Sequence, residues 1–429
     1  MRSHKPAIGF IFITLLLDVI GFGLLIPVAP RLIAELQGGP QETAAGTFGL
    51  LAATYAVMQF LCAPTLGALS DHFGRRPVLL VALFGSGLDY FALALSPTVP
   101  LLFISRAVNG ISGASMTVAS AYIADITPPE KRAAGFGIVG AAFGLGFILG
   151  PVIGGFLGDP ATHLPLIGHG HVRLPFYAAG VLTLMNWLYG LLVVPESLPP
   201  ERRARISFAR ANPVGVFLGF TRYPLVVGMA GAMFLLNLAQ IGLHSTWALY
   251  TAHRFGWSPR QIGYSLAMVG ICAAVVQAGL ARKVIPLLGE KRALILGLAI
   301  GVLSYLGYGL ATEGWMVYVV IAFGSLGGIS MPAGQSLVTR AVRPDEQGRL
   351  QGAMTGLQSV AAIFGPLIAT HAFEYFISDG AKPFRIEGAS FFISAILAAM
   401  GWVVAAWAVN RKHITVVDAP AAATAPTPS

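Results

Sequence analysis

The chain has 429 residues, a formal net charge of +9, a mean hydropathy of +0.74 and only 10 % charged residues. Soluble domains carry roughly 25 % charged residues, so a soluble core could not hide this much apolar surface, and the positive balance does not point to nucleic acid. Cys62 and Cys272 both lie in apolar runs, which indicates neither a disulfide framework nor a metal site.

The apolar sequence comes in continuous stretches of about 20 residues, the length at which a helix crosses a bilayer core of about 30 Å. Only helices and closed barrels satisfy their backbone in lipid, and runs that do not alternate predict helices. The opening MRSHKPAIGF is basic, then apolar, with no small-residue cleavage site after it, so a retained first span is expected. Twelve spans are predicted, at about 7–29, 46–69, 77–96, 99–122, 135–158, 173–194, 222–250, 261–283, 291–311, 314–338, 348–372 and 386–409. The longest connection, PESLPPERRARISFARANP, is basic and rich in Pro. The expected organisation is a six-span bundle over 1–194, a linker over 195–221, a second six-span bundle over 222–409 and a disordered Ala/Pro-rich tail over 410–429.

An even number of spans puts both termini on one side. That side receives 20 of the 27 Lys and Arg residues, and the opposite side receives 6, with Arg106 left inside span 4. The bias predicts cytoplasmic termini. One constant shift along the chain superposes Gly113 on Gly328, Pro129 on Pro344, Glu130 on Asp345, Gly137 on Gly352, Gly150 on Gly365 and Pro151 on Pro366. The two halves therefore read as related copies.

The loop between spans 2 and 3 contains Gly67, Asp71, Gly74, Arg75, Arg76 and Pro77 in GALSDHFGRRP. The glycines allow a tight turn and close helix approach, and the arginines can pair with carboxylates. Asp125, at the end of span 4, is expected to pair with Arg75 or Arg76. The matching loop of the second half, Leu288-Gly289-Glu290-Lys291-Arg292, lacks the aspartate. Span 5 carries Gly140, Gly144, Gly146, Gly150, Pro151, Gly154 and Gly155. Glycines four apart let helices pack closely, and Pro151 frees a carbonyl and invites a bend.

Ionisable groups at membrane depth cost about 2.5–3.5 kcal/mol on insertion scales and are functional by default. Asp18, Asp89 and Arg106 lie inside spans 1, 3 and 4. At 1.5 Å per residue, Asp89 is about 18 Å from one end of span 3 and Arg106 about 10 Å from the other end of span 4. They thus share a level, and an Asp89–Arg106 pair is possible, either structural or part of proton coupling. Asp18 has no obvious cation at its depth and is expected to be protonatable; a structural aspartate at a break in the helix is the plainer alternative. The second half has no acidic residue well inside a span. Its polar groups include Asn237, Gln240, His244, Gln277, Gln335, Gln351 and Gln358. With Gln59 and Asn109 of the first half, Asn237, Gln240, Gln335 and Gln358 are the expected polar wall of a cavity. His163, His169 and His171 cluster in one loop without a wider ligand pattern.

These strings resemble the major facilitator superfamily, whose fold is built from parallel repeats with substrate bound between the halves. The first half is similar to the tetracycline-resistance branch of the drug:proton antiporters in LLLDVIGFGLLIPVAPRL, GALSDHFGRRPVLL, LDYFALALSPT, ISRAVNGISGAS and GAAFGLGFILGPVIGG. The second half is similar in HRFGWSPRQIGYSLA, LLGEKRALILG and QGRLQGAMTGLQSVAAIFGPL. The resemblance implies an all-α, twelve-span major facilitator fold in two pseudo-symmetric halves. It implies proton coupling through Asp18, Asp89 and Arg106, and a gating latch at Gly67, Asp71, Gly74, Arg75, Arg76 and Asp125. It also implies an exporter motif at Gly146, Gly150, Pro151, Gly154 and Gly155. Exporters of this layout carry a histidine in span 8 and an aspartate in span 9 on the transport path; the matching positions here are Ala273 and Gly301, and neither titrates.

The expected function is proton-driven export of a small amphipathic compound from a bacterial inner membrane by a monomer, without cofactor or metal. A symporter or facilitator for a small metabolite such as a sugar is the alternative, and a membrane sensor a remote one. There is no HExxH pair, Gly-x-Ser-x-Gly elbow or phosphate-cradling loop to suggest an enzyme.

Overall fold

The structure is a computed structural model that describes residues 5–113, 115–127, 132–165, 168–203, 223–343, 346–377 and 385–410. Most of the expected linker and the whole tail from 411 lie outside the described residues. Among those described, ten helices are each long and apolar enough to cross a membrane, and a bent pair, Ile11–Leu25 with Ala29–Gln37, adds an eleventh. The twelfth expected span, span 4, is divided into Val99–Ser112 and Ser115–Ile126.

Spans 2, 3, 5 and 6 are Ala45–Phe73, Arg75–Leu95, Arg132–Gly158 and Leu174–Val193. Spans 7, 9, 11 and 12 are Pro224–Phe255, Glu290–Leu310, Gln347–Ile377 and Ala389–Asn410. Span 8 runs from Pro259–Val275 through a π-helical turn, Val276–Leu280, into Ala281–Leu288. Span 10 is Gly314–Ser325, a 3-10 turn at Leu326–Ile329, and Ser330–Arg340.

Three deviations from unbroken spans have local causes. Span 1 bends by 42° and runs on to Gln37. Pro27 cannot continue the helix, while Pro30 sits at the start of the next one, where its missing N–H costs nothing. Span 4 breaks after Gly113, where a Cβ on Gly113 would overlap the Tyr55 hydroxyl and one on Gly110 would lie 2.6 Å from the Tyr55 carbonyl. Span 10 breaks around Gly328, the counterpart of Gly113 under the repeat. The repeat read from glycines and prolines is thus also a repeat of helix breaks.

Within the first half, span 1 packs on spans 5 and 6 and span 3 on span 6; within the second, span 7 packs on spans 11 and 12 and span 9 on span 12. The halves meet along two seams, span 2 on span 11 and span 5 on span 8. We call the side on which span 1 begins and span 12 ends the terminal face and the other the distal face. Both seams are closed towards the distal face by glycine. A Cβ on Gly263 of span 8 would overlap the Pro151 carbonyl, and one on Gly155 of span 5 the Pro259 carbonyl. On the other seam, Gly49 of span 2 lies under Thr370 and the Pro366 carbonyl of span 11, and Gly46 under Glu374.

Polar bonds reinforce this closure. Glu42 Oε1 is 2.6 Å from His253 Nδ1, and Arg385 bonds His253 Nε2 at 3.1 Å. Asp159 accepts from Ser258 Oγ at 2.7 Å, with Arg260 3.8 Å away. Towards the terminal face the helices part. Gly67 lies about five turns along span 2 from Gly49, and Gly352 about five turns along span 11 from Thr370, each on the same helix face. A Cβ at either Gly67 or Gly352 would meet nothing within 4 Å among the described residues. The same holds at Gly140 and Gly144, on the stripe that reaches span 8 at Ile148. Among the described residues, the gap between the halves is closed distally and open at the terminal face.

Close backbone contact at Gly263 therefore holds this conformation. In a background lacking Cys62 and Cys272, paired cysteines at Glu42 and His253 are expected to cross-link readily, and adding Gly263→Val is expected to slow that reaction several-fold. An unchanged rate would show that the seam does not depend on the missing side chain.

Candidate functional site

The charge-bearing face of the first half is assembled from spans 1, 2, 3 and 4. Asp89 is buried, its side chain 2 % exposed. It accepts from Ser105 Oγ and Asn109 Nδ2, and from an Arg106 guanidinium nitrogen at 3.3 Å. These three donors come from just over one turn of span 4, spaced so that all fall on one face. The expected Asp89–Arg106 pair is thus one bond of three. The Arg106 guanidinium also lies 6.0 Å from the centre of the Tyr55 ring, within cation–π range.

Asp18 is half-buried in span 1 and has no hydrogen bond or ion pair among the described residues. It lies within electrostatic reach of the Tyr55 and Tyr90 hydroxyls, which Asp89 and Arg106 reach as well. The three charges are therefore gathered around two tyrosines, with one carboxylate fully partnered and the other bare. Gln59, half-buried, donates to the Gly113 carbonyl at 3.0 Å and to the Tyr55 hydroxyl at 3.3 Å. Asn109 was expected on a cavity wall; it is buried instead, because its amide is needed on Asp89.

The loop between spans 2 and 3 is knit to its own half. Gly74 has φ +107°, in the region that favours glycine. Its missing side chain leaves room for Glu196, which caps span 3 by accepting from the Arg75 and Arg76 backbone N–H groups at 2.9 and 3.3 Å. Arg75 bonds Asp71 at 2.6 Å, Asp125 at 3.1 Å and Ser70 Oγ at 2.6 Å. Arg76 donates to the Leu191 carbonyl at 2.7 Å. All of these partners lie in the first half or in the start of the connection that follows it. Glu196 was missed in the sequence because it stands in an otherwise basic, Pro-rich connection.

The span 5 glycines divide by face. Gly146, Gly150 and Gly154, at spacing four, pack on span 1: a Cβ would lie 2.6 Å from Val19 Cγ1 at Gly146, 2.8 Å from Gly23 Cα at Gly150, and on the Leu24 carbonyl at Gly154. Gly155, with the Pro151 carbonyl, faces span 8 of the other half. One stretch thus fixes the span that carries Asp18 and also forms an inter-half seam.

On the second half, Gln240, His244, Gln277, Gln335 and Gln358 are exposed although they lie inside spans. Asn237 is half-buried and gives its amide to the Met233 carbonyl at 2.7 Å. Ala273 and Gly301 are half-buried, and a Cβ at Gly301 would meet nothing within 4 Å. Of these five exposed side chains, His244 is the titratable one. It reads in the sequence as one more polar group of span 7. Its setting depends on Tyr305 of span 9, which sequence spacing does not connect to it.

Twelve spans in two repeated halves, with charged groups held inside and a gap open to one face, define a polytopic secondary transporter. The family model of the Major Facilitator Superfamily matches residues 11–366 and 229–428, and the chain belongs to that superfamily. It is 41 % identical over 370 residues to the tetracycline resistance protein, class C, of Escherichia coli, covering 86 % of this chain and 90 % of that one. It is 34 % identical over 403 residues to the class B protein of Escherichia coli, covering 93 % and 96 %. Among solved structures it is similar to the human organic anion transporter MFSD10 (TETRAN), with a TM-score of 0.69, 26 % identity and coverage of 94 % and 100 %.

The three-donor cradle around Asp89 makes a stability prediction. Asn109→Leu leaves a buried carboxylate one donor short and is expected to destabilise by about 1–3 kcal/mol. Arg106→Gln, which removes the countercharge, should cost about 3–5 kcal/mol. Thermal unfolding of the detergent-solubilised variants measures both; equal melting temperatures for wild type and Arg106→Gln would mean that the pair is not structural.

Proposed function

We propose that the protein exports small amphipathic drugs of the tetracycline kind in exchange for protons, by alternating access, as a monomer in the bacterial cytoplasmic membrane. The observation that carries the proposal is Asp18: a carboxylate inside a membrane span, half-buried, with no bonding partner among the described residues, beside an Asp89 that is fully partnered. A bare carboxylate at that depth is stable when it can take up a proton, because the charged form bears the cost of desolvation. The names of the relatives at 34 % and 41 % identity support the drug class.

The excess of Lys and Arg supports a cytoplasmic terminal face. The conformation described is then inward-open, with the distal seams as its closed outer gate. Protons entering from outside neutralise Asp18 while the halves face outward. Rocking to the inward-open form releases the proton to the cytoplasm, and substrate binds in the gap in its place. The proton gradient is the only energy source in this scheme; no cofactor enters it.

The test is a susceptibility panel in an efflux-deficient bacterial host, comparing wild type with Asp18→Asn. Wild type is expected to confer tetracycline resistance and the variant, at equal membrane abundance, to lose it. Resistance that survives Asp18→Asn would remove this residue from the mechanism, and a wild type that protects against no drug would favour a metabolite transporter.

A further inference from the structure

We infer that His244, held by a relay from Tyr305 through Gln240, is the hydrogen-bond donor that the second half presents to the substrate, and that it selects compounds with an acceptor-rich oxygen face such as an enol, a deprotonated phenol or a carboxylate. The inference rests on the export reading and deepens it.

The relay begins on span 9. The Tyr305 hydroxyl donates to Gln240 Oε1 at 3.0 Å. That bond sets the amide with its NH2 directed at His244, and Gln240 Nε2 lies 2.9 Å from His244 Nε2. An amide nitrogen has hydrogens and no acceptor lone pair, so it donates, and His244 Nε2 accepts. The imidazole proton is then on Nδ1, the tautomer being set by the bond at the other nitrogen. Nδ1 has no partner among the described residues, and His244 is exposed.

The direction of exposure follows from the helix. Gln240, His244 and Ala248 are four apart and share one face of span 7. Ala248 is 4 % exposed, in a cluster that contains Ala45 and has Phe48 packed on it, both from span 2 of the other half. The stripe therefore faces the first half. Spans 7 and 2 touch, and at His244 and Gln240, farther from the closed distal end, the stripe is uncovered. Lipid-facing positions of these spans are apolar, as Leu296 and Leu303 of span 9 are. A donor pre-oriented by two further residues, and left without a partner in the gap, is suited to an oxygen acceptor. The second half thus provides from spans 7 and 9 the recognition that Ala273 and Gly301 cannot.

The experiment measures tetracycline uptake driven by a proton gradient in everted vesicles, for wild type, His244→Ala, Tyr305→Phe and the double variant. His244→Ala is expected to raise KM about tenfold, the loss of one hydrogen bond to a ligand, with Vmax retained. Tyr305→Phe frees the Gln240 amide and should raise KM less. The double variant should be no worse than His244→Ala, since Tyr305 acts as a positioning residue only through His244. An unchanged KM in His244→Ala, a fall in Vmax at constant KM, or additive effects in the double variant would each overturn the inference while leaving the export reading in place. Failure of the wild type to carry tetracycline would take down the export reading and this one with it.

Discussion

Asp89 and Asp18 sit in neighbouring spans under the same constraint, a carboxylate in a medium that cannot solvate it, and the structure answers it in two ways. Asp89 receives three donors from span 4. Asp18 receives none among the described residues, although Tyr55 and Tyr90 lie within its field. The remainder of the first half is arranged around this contrast. The break in span 4 at Gly113 lets Tyr55 press in beside Arg106, and Gly146, Gly150 and Gly154 draw span 5 against the turns of span 1 that carry Asp18.

The two halves share a backbone plan and differ in charge. Gly74 and Gly289 are counterparts under the repeat and adopt the same unusual conformation, φ +107° with ψ 157° and φ +78° with ψ 152°, each starting the third span of its half. The breaks at Gly113 and Gly328 and the in-helix Pro151 and Pro366 obey the same offset. So does an ion pair. Arg75 bonds Asp125 at 3.1 Å in the first half; at the matching positions, Arg340 bonds Glu290 at 3.0 Å in the second, with acid and base exchanged. The pairing is retained and its polarity is inverted, so the second-half loop that lacks an aspartate is a rearranged copy with a working ion pair. The proline carbonyls close the repeat: each faces a glycine of the other half, Pro151 against Gly263 and Pro366 against Gly49.

The spans, the parity and the repeat were legible in the sequence because they are written in hydropathy and in residues with a single conformational meaning. Asp89 and Arg106 could be paired from the rise per residue alone, and Asp125 with Arg75 or Arg76 from complementary charge. What could not be read was orientation about the helix axis when two faces are both occupied. Asn109 reads as a cavity residue and is a ligand of Asp89; Ser105, just before Arg106, carried no distinguishing signal. Gly155 and Gly154 are adjacent in one glycine run, yet they serve different halves. Glu196 and the Tyr305–Gln240–His244 relay depend on contacts between residues far apart along the chain, which no local pattern encodes.

We propose that proton coupling resides in Asp18 while substrate exchange does not require its charge. Reconstituted protein and the Asp18→Asn variant can be compared in proteoliposomes for tetracycline counterflow without a proton gradient and for accumulation driven by one. Asp18→Asn is expected to retain counterflow and to lose gradient-driven accumulation. Accumulation by the variant at the wild-type level would contradict it.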